Sequence, residues 1–337
     1  HPVHAWRARW TSPAVLDAEQ ALLAATQAPA AAIEESFVAR VLDTAGSPKG
    51  DYYGLPDLSA EQAAAVTHLA TQPTRLRVLE GPAGSGKTTT LRALAVLWQA
   101  RAGQGTVIGL APSASAAATL QAALGVTCEN TAKWLHETTG PAGQQRAALA
   151  TQLLTAPAGR AVRGPLLRDV LTEQSRWTLP YRALLIVDEA SLADTQTLAA
   201  LTAQAQAAHA VILLVGDRHQ GGPVGAGGVF GLLARHTHHA ELAALHRYQH
   251  AWEAHATLQL RHGHPDALHA YAAHDRLHTA PAGTPPDAER DVLLDQAHTA
   301  WSADIAAGKH ALLLAADTTT VTELNARART HRVAHGE

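Results

Sequence analysis

At 337 residues, with a formal net charge of −3 and 16% charged side chains, the chain is long enough for two or three domains and not basic enough to bind nucleic acid by bulk charge. Its single cysteine, Cys128, excludes disulfide frameworks and cysteine-based zinc modules and fits a reducing, cytoplasmic setting. No apolar run approaches bilayer-spanning length and the start, HPVHAWRARW, has no signal-peptide pattern, so membrane insertion and export are unsupported.

In chain order, SPAVLDAEQALLAATQ and AAIEESFVARVLDTAG read as helical segments, and the turn-rich GSPKGDYYGLPD follows them. Residues 1–55 are therefore expected to be a helical accessory or linker region. Ser59 is placed to cap a helix through AEQAAAVTHLA, with Gln62 completing a capping box. The apolar strand LRVLE then runs into a glycine loop and a long helix, TTTLRALAVLWQA. The alternation returns as TVIGLA before SASAAATLQAAL, as ALLIVDE before TQTLAALTAQAQ, and as VILLVGD before a glycine-rich turn. Continuous apolar strands separated by helices imply an α/β fold, a parallel sheet with helices on both faces, over residues 56–240. The alanine-rich stretch at about 140–180 reads as an insertion between the second and third of these strands. Residues 241–337 begin another unit, with ALLLAA expected as a strand and TELNARART as the helix after it. The absence of methionine and the end soon after ALLLAA set the expectation of a piece from a longer protein.

Chemistry concentrates at the carboxyl ends of the strands, where open parallel sheets bind ligands. GPAGSGKT at 81–88 has the spacing G-x-x-x-x-G-K-T between a strand and a helix. Gly81, Pro82, Ala83, Gly84, Ser85 and Gly86 would bring backbone N–H groups around phosphate oxygens at the helix N-terminus, followed by Thr89 on the helix. Lys87 would reach the β and γ phosphates and Thr88 would hold magnesium. Lysine otherwise occurs only at 49, 133 and 309, so Lys87 stands out in an arginine-rich chain. In LLIVDEAS at 184–191, Asp188 is a magnesium ligand and Glu189 the base for the attacking water; acids here could also cap the next helix. In VILLVGDRHQ, Gln220 is placed to hydrogen-bond the γ-phosphate or that water.

GPAGSGKT, VDEAS and GDRHQ, in this order, resemble the motor motifs of RecD-like superfamily 1 helicases. Together with LSAEQAAAV, GLAPSASAAATL, NTAKWLHE and VGAGGVFGLLA, they resemble more closely the helicase part of MobF-type conjugative relaxases. The resemblance implies a P-loop NTPase with a RecA-like sheet, and makes residues 241–337 the truncated start of a second RecA-like domain. It implies ATP and Mg2+ as cofactors, single-stranded DNA as partner alongside other proteins of the conjugation machinery, and 5′ to 3′ movement. Gln62 would contact adenine, and Arg247, from the second domain, would meet the γ-phosphate. DNA contacts would come from Pro112, Ser113, Ala114 and Ser115 and from Thr131, Lys133 and Trp134, although Trp134 reads equally as a core residue. The chain departs from the family at Arg218-His219 and Gly221-Gly222, which puts the stiffness of that loop in question. No equivalent of the family's nicking tyrosine with metal-binding histidines is read in the first fifty residues, so this chain by itself is not expected to nick DNA. The scattered histidines, among them His236, His238 and His239, lack metal-site spacing.

These readings converge on an ATP-dependent DNA translocase. A stand-alone RecD-like repair helicase is the alternative within the class; an upstream relaxase domain in the parent gene would exclude it. A nucleotide-dependent DNA-binding or recruitment module without turnover is the alternative outside it.

Overall fold

A computed structural model describes residues 11–45, 47, 54–101, 105–155, 160–223 and 225–334. Most of the expected turn-rich run at 46–57, the start of VGAGGVFGLLA at 224 and the last residues of VAHGE lie outside these. The chain divides into two compact units, residues 1–248 and residues 249–337.

The first unit is built on a six-stranded parallel sheet in the order β3-β2-β4-β5-β1-β6. The strands are β1 (Leu76–Glu80), β2 (Val107–Ala111), β3 (Thr127–Asn130), β4 (Leu184–Val187), β5 (Val211–Gly216) and β6 (Ala240–Glu241). The unbroken apolar runs arise because both faces are covered. Leu184 and Ile186 of β4, with Val211, Leu213 and Val215 of β5, fill one core; Leu185, Val187, Ile212 and Leu214 fill the other. Each such fully buried side chain stabilises the fold by about 1.5–3 kcal/mol.

The first core lies under α3 (Ala60–Thr71), α4 (Lys87–Ala100) and α5 (Ala114–Leu124); α9 (Thr195–Ala207) and α10 (Val229–His236) cover the second. Three of these starts are fixed by side-chain caps. Ser59 and Gln62 form the expected capping box on α3, Ser113 caps α5 and Asp194 caps α9.

The N-terminal helices are part of this unit. Leu22 and Ala25 of α1 (Pro13–Ala25) enter the second core, and Val38 of α2 (Glu35–Leu42) enters the first. Two buried arginines of the β1 segment tie the connection between them. Arg75 donates to the carbonyls of Ala210 and Pro29 at 2.9 and 3.0 Å. Arg77, 1% exposed, donates to those of Thr74 at 3.1 Å, Ala31 at 2.7 Å and Leu69. Burial and then Arg101 push the Arg77 pKa down, while its carbonyl acceptors favour the charged form.

The insertion lies, as expected, between the TVIGLA and ALLIVDE strands, but one unexpected strand shares that interval. A short edge strand, β3, and the helix α6 (Thr131–Thr138) intervene after β2, so α7 (Pro141–Thr155) and α8 (Arg160–Arg176) lie between the third and fourth strands. The chain re-enters the core at Trp177, packed edge-on against Trp134 with ring centroids 6.1 Å apart.

In the second unit the described residues are helical or irregular. Helices α11 (Ala251–Arg261) and α12 (Ala267–Ala273) pair, with Trp252 stacked on His274 at 3.9 Å. Helices α13 (Glu289–Ala306) and α14 (Thr318–Ala334) are joined through Arg327, which contacts Asp291, Asp295 and Glu323. ALLLAA is not a strand: residues 311–315 are irregular, and Leu312 and Leu314 are 87% and 83% exposed. A strand needs a neighbour to complete its ladder, and the described residues of this unit provide none. The expected second RecA-like sheet is therefore not present among them.

Candidate active site

β1 ends at Glu80 and the chain turns through residues 81–88 into α4. Gly84 and Gly86 both hold φ +86°, a left-handed conformation that costs glycine little and L side chains more. Space is as restrictive as the angle: a Cβ at Gly84 would lie 2.7 Å from Arg247 Cβ, and one at Gly86 would collide with Gln62 Nε2. The turn leaves the first N–H groups of a 14-residue helix facing the cleft, a ready anion site. Lys87 Nζ donates to the carbonyls of Gly81 and Pro82 at 2.8 and 3.1 Å.

Two strands away, Asp188 and Glu189 follow the buried β4. Asp188 Oδ1 accepts the Glu189 N–H at 3.0 Å. Glu189 has φ +50°, strained for a residue with a Cβ; such strain concentrates where side-chain direction matters. Its Oε2 is buried without a hydrogen-bond partner. Burial pushes both carboxyls above their ordinary range; Asp188 raises Glu189 further, and Lys87 opposes the rise in both.

These groups share one cleft of about 480 Å³, lined by Gln62, Ala83, Gly84, Gly86, Lys87, Thr88, Thr89, Asp188, Glu189, His246 and Arg247. That volume suits a nucleotide-sized ligand. A larger cavity, about 870 Å³, lies in the second unit and contains none of the motif residues. Left-handed glycines, a helix N-terminus, a lysine and a buried carboxylate oxygen without a partner fit a phosphate-bound divalent cation.

Two expectations are corrected by position. Arg247 does not come from the second unit. β6 pairs with β1 in the register Leu79↔Ala240 and Glu80↔Glu241, carrying residues 242–247 across the phosphate loop within the first unit. The His246 N–H donates to Gly84 O at 2.9 Å, and Arg247 packs on the Gly84 backbone. Gln220 is not in the cleft. It lines a separate cavity of about 460 Å³ with Ser191, Arg218, His219 and Arg235, and its N–H donates to Asp217 O at 3.2 Å. The departure at Arg218 accounts for part of this, since its Nε lies 3.1 Å from the wholly buried Glu80 carboxylate and anchors the loop there.

The expected DNA residues fall at the ends of β2 and β3. Pro112, Ser113 and Ser115 are exposed; Ser113 Oγ accepts the Ala116 N–H at 3.1 Å, and Asn130 Nδ2 donates to Pro112 O at 3.0 Å. Lys133 is exposed but paired with Glu129 at 2.6 Å. Thr131 is buried and donates to Ala111 O at 3.1 Å. Trp134 is 2% exposed and its Nε1 donates to Gln204 Oε1 at 2.9 Å, so of its two readings the structure takes the core one and offers no face to a base. Sequence reasoning missed Glu80, His246 and Asn130. Only Glu80 left a signal, as the acid ending an apolar strand.

A family model described as AAA domain, AAA_30, matches residues 57–282. The chain belongs to this AAA domain family. The chain is similar to the conjugal transfer protein TraA of Rhizobium radiobacter, 30% identical over 280 residues, which are 83% of this chain and 22% of that protein. It is 26% identical to the probable conjugal transfer protein TraA of Sinorhizobium fredii, over 83% of this chain and 21% of that one. The chain thus spans about a fifth of the length of the curated relatives it matches. Among solved structures, the Pif1 helicase from Candida albicans aligns at 19% identity and TM-score 0.42 over 72% of this chain and 54% of that one. The family match and the TraA likeness bear out the resemblance carried by the AAA domain's motifs. Among the described residues no helix is long and apolar enough to cross a membrane.

Proposed function

We propose that this chain is the ATP-hydrolysing motor part of a conjugative relaxase, cytoplasmic, moving 5′ to 3′ along single-stranded DNA during plasmid transfer. One observation carries the reading: Lys87, Thr88, Asp188, Glu189 and Arg247 line a single cleft around two left-handed glycines. In it, the 81–88 backbone and Lys87 hold the phosphates and Gln62 the adenine. Thr88 and Asp188 hold the magnesium ion, which supplies charge neutralisation on the phosphate oxygens. Glu189 takes a proton from water as its oxygen bonds to the γ-phosphorus and the bond to ADP breaks. Its raised pKa makes it the stronger base. Arg247 balances charge developing on the transferred group. Exposed residues 112–115 and Lys133, with half-buried Asn130 beside them, form the strip on which the DNA backbone is held.

A second reading, nucleotide-dependent recruitment without turnover, draws support from Gln220, which lies in a different cavity from the phosphate loop. Phosphate release with and without single-stranded DNA, beside Lys87→Ala, separates the two. DNA-stimulated release that disappears in the variant is the outcome expected of a motor. Nucleotide binding without release in the unaltered chain would overturn it in favour of recruitment.

A further inference from the structure

The segment 242–247 bears the only arginine among the described residues that line the cleft, and it runs along the phosphate loop as a strap. Its ends are held by backbone: the Leu242 N–H donates to Glu80 O at 2.8 Å, and the His246 N–H to Gly84 O at 2.9 Å. Its middle is held by one side chain. Glu61, in the first turn of α3, accepts the N–H of Ala243 at Oε1, 2.7 Å, and that of Ala244 at Oε2, 3.2 Å. A carboxylate bonded to two successive amides is a charge-assisted, two-point grip. Removing it leaves an exposed pair of amides with only water to bond. The next residue, Gln62, faces the other way: its Oε1 accepts the Ser59 N–H at 2.9 Å and its Nε2 abuts Gly86. Adjacent residues at one helix start therefore contact the two walls of the cleft, the strap and the phosphate loop.

We infer that Glu61 is a positioning residue for hydrolysis: it clamps the strap so that Arg247 is aligned over the phosphate loop. This rests on the motor reading for its catalytic consequence, but the clamp itself is testable without turnover. The geometry sets the expected kinetic signature. Glu61 does not line the cleft, so its loss should act on the alignment of Arg247 and leave nucleotide binding through the 81–88 backbone in place.

In the full chain, Glu61→Ala is expected to lower kcat for DNA-stimulated hydrolysis about tenfold with KM for ATP changed less than about twofold. Glu61→Gln, which keeps one carbonyl acceptor, should fall between. In an Arg247→Ala background, Glu61→Ala should cost nothing further, because the aligned group is gone. Amide hydrogen exchange across 242–247 should quicken in Glu61→Ala while that of 76–80 is unchanged. Unaltered exchange across the strap overturns the inference, as does a loss in KM alone or a full tenfold loss that persists without Arg247. If the unaltered chain binds a fluorescent ATP analogue but releases no phosphate, the motor reading fails. The exchange measurement then decides the clamp alone.

Discussion

Trp134 separates a core role from a nucleic-acid role by magnitudes that differ in kind. Its indole is 2% exposed, bonds Gln204 at 2.9 Å and packs edge-on against Trp177 at 6.1 Å. Trp134→Ala would leave a cavity in the second core and strip the Gln204 carbonyl of its donor, a loss of about 3–5 kcal/mol for the truncation alone. In a unit of this size each kcal/mol shifts Tm by about 2–4 °C, so a fall of roughly 6–20 °C is expected. A residue that stacked on a base would behave differently: stability would barely move, and affinity for an oligonucleotide would fall by about 1–3 kcal/mol per base lost, roughly 5–150-fold. Thermal unfolding followed by circular dichroism, with fluorescence anisotropy of a labelled single strand measured well below the transition, reads both quantities on the same samples. The core assignment is refuted if Tm is held within about 2 °C while affinity drops more than about tenfold.

Two other outcomes follow from buried charge. Asp188 and Glu189 are raised chiefly by burial, and a carboxyl raised in the folded state favours folding when protonated; that advantage is full below its unfolded pKa and lost as pH rises through its folded value. Glu189→Gln should therefore raise Tm at about pH 7.5 and lose the gain by about pH 4, and a difference that does not vary with pH would contradict this. Arg77→Met removes the donor to the carbonyls of Thr74, Leu69 and Ala31 and should cost about 3–5 kcal/mol in urea unfolding; an unchanged midpoint would show that water replaces the guanidinium.

The sequence reports the sheet where burial is two-sided. LLIV and VILLVG are apolar at every position because alternate residues enter opposite cores, and that signal survives an alanine-rich background. It fails at the edges. β3 is the polar TCEN and β6 is two residues long, held by pairing that no local pattern announces. Missing β6 is what misplaced Arg247, because that pairing turns the following residues over the phosphate loop. ALLLAA misleads for the reverse reason: it has strand composition with no strand beside it. The glycine loop and acidic pair were legible because their chemistry is local to a few residues. The positions of Gln220 and Glu61 depend on contacts with distant segments, Arg218 with Glu80 and Glu61 with Ala243, that spacing along the chain does not encode.

The family match begins at residue 57, but the fold's physical boundary lies earlier. A truncation made there would open both cores at once, where Leu22 and Val38 are now wholly enclosed, and would strip Arg75 and Arg77 of the Pro29 and Ala31 carbonyls. The minimal soluble unit should therefore start before Ser12, the cap of the first helix. The stretch before the phosphate loop, which resembles a tether only when seen as letters, is thereby a wall of the sheet that carries the candidate cleft.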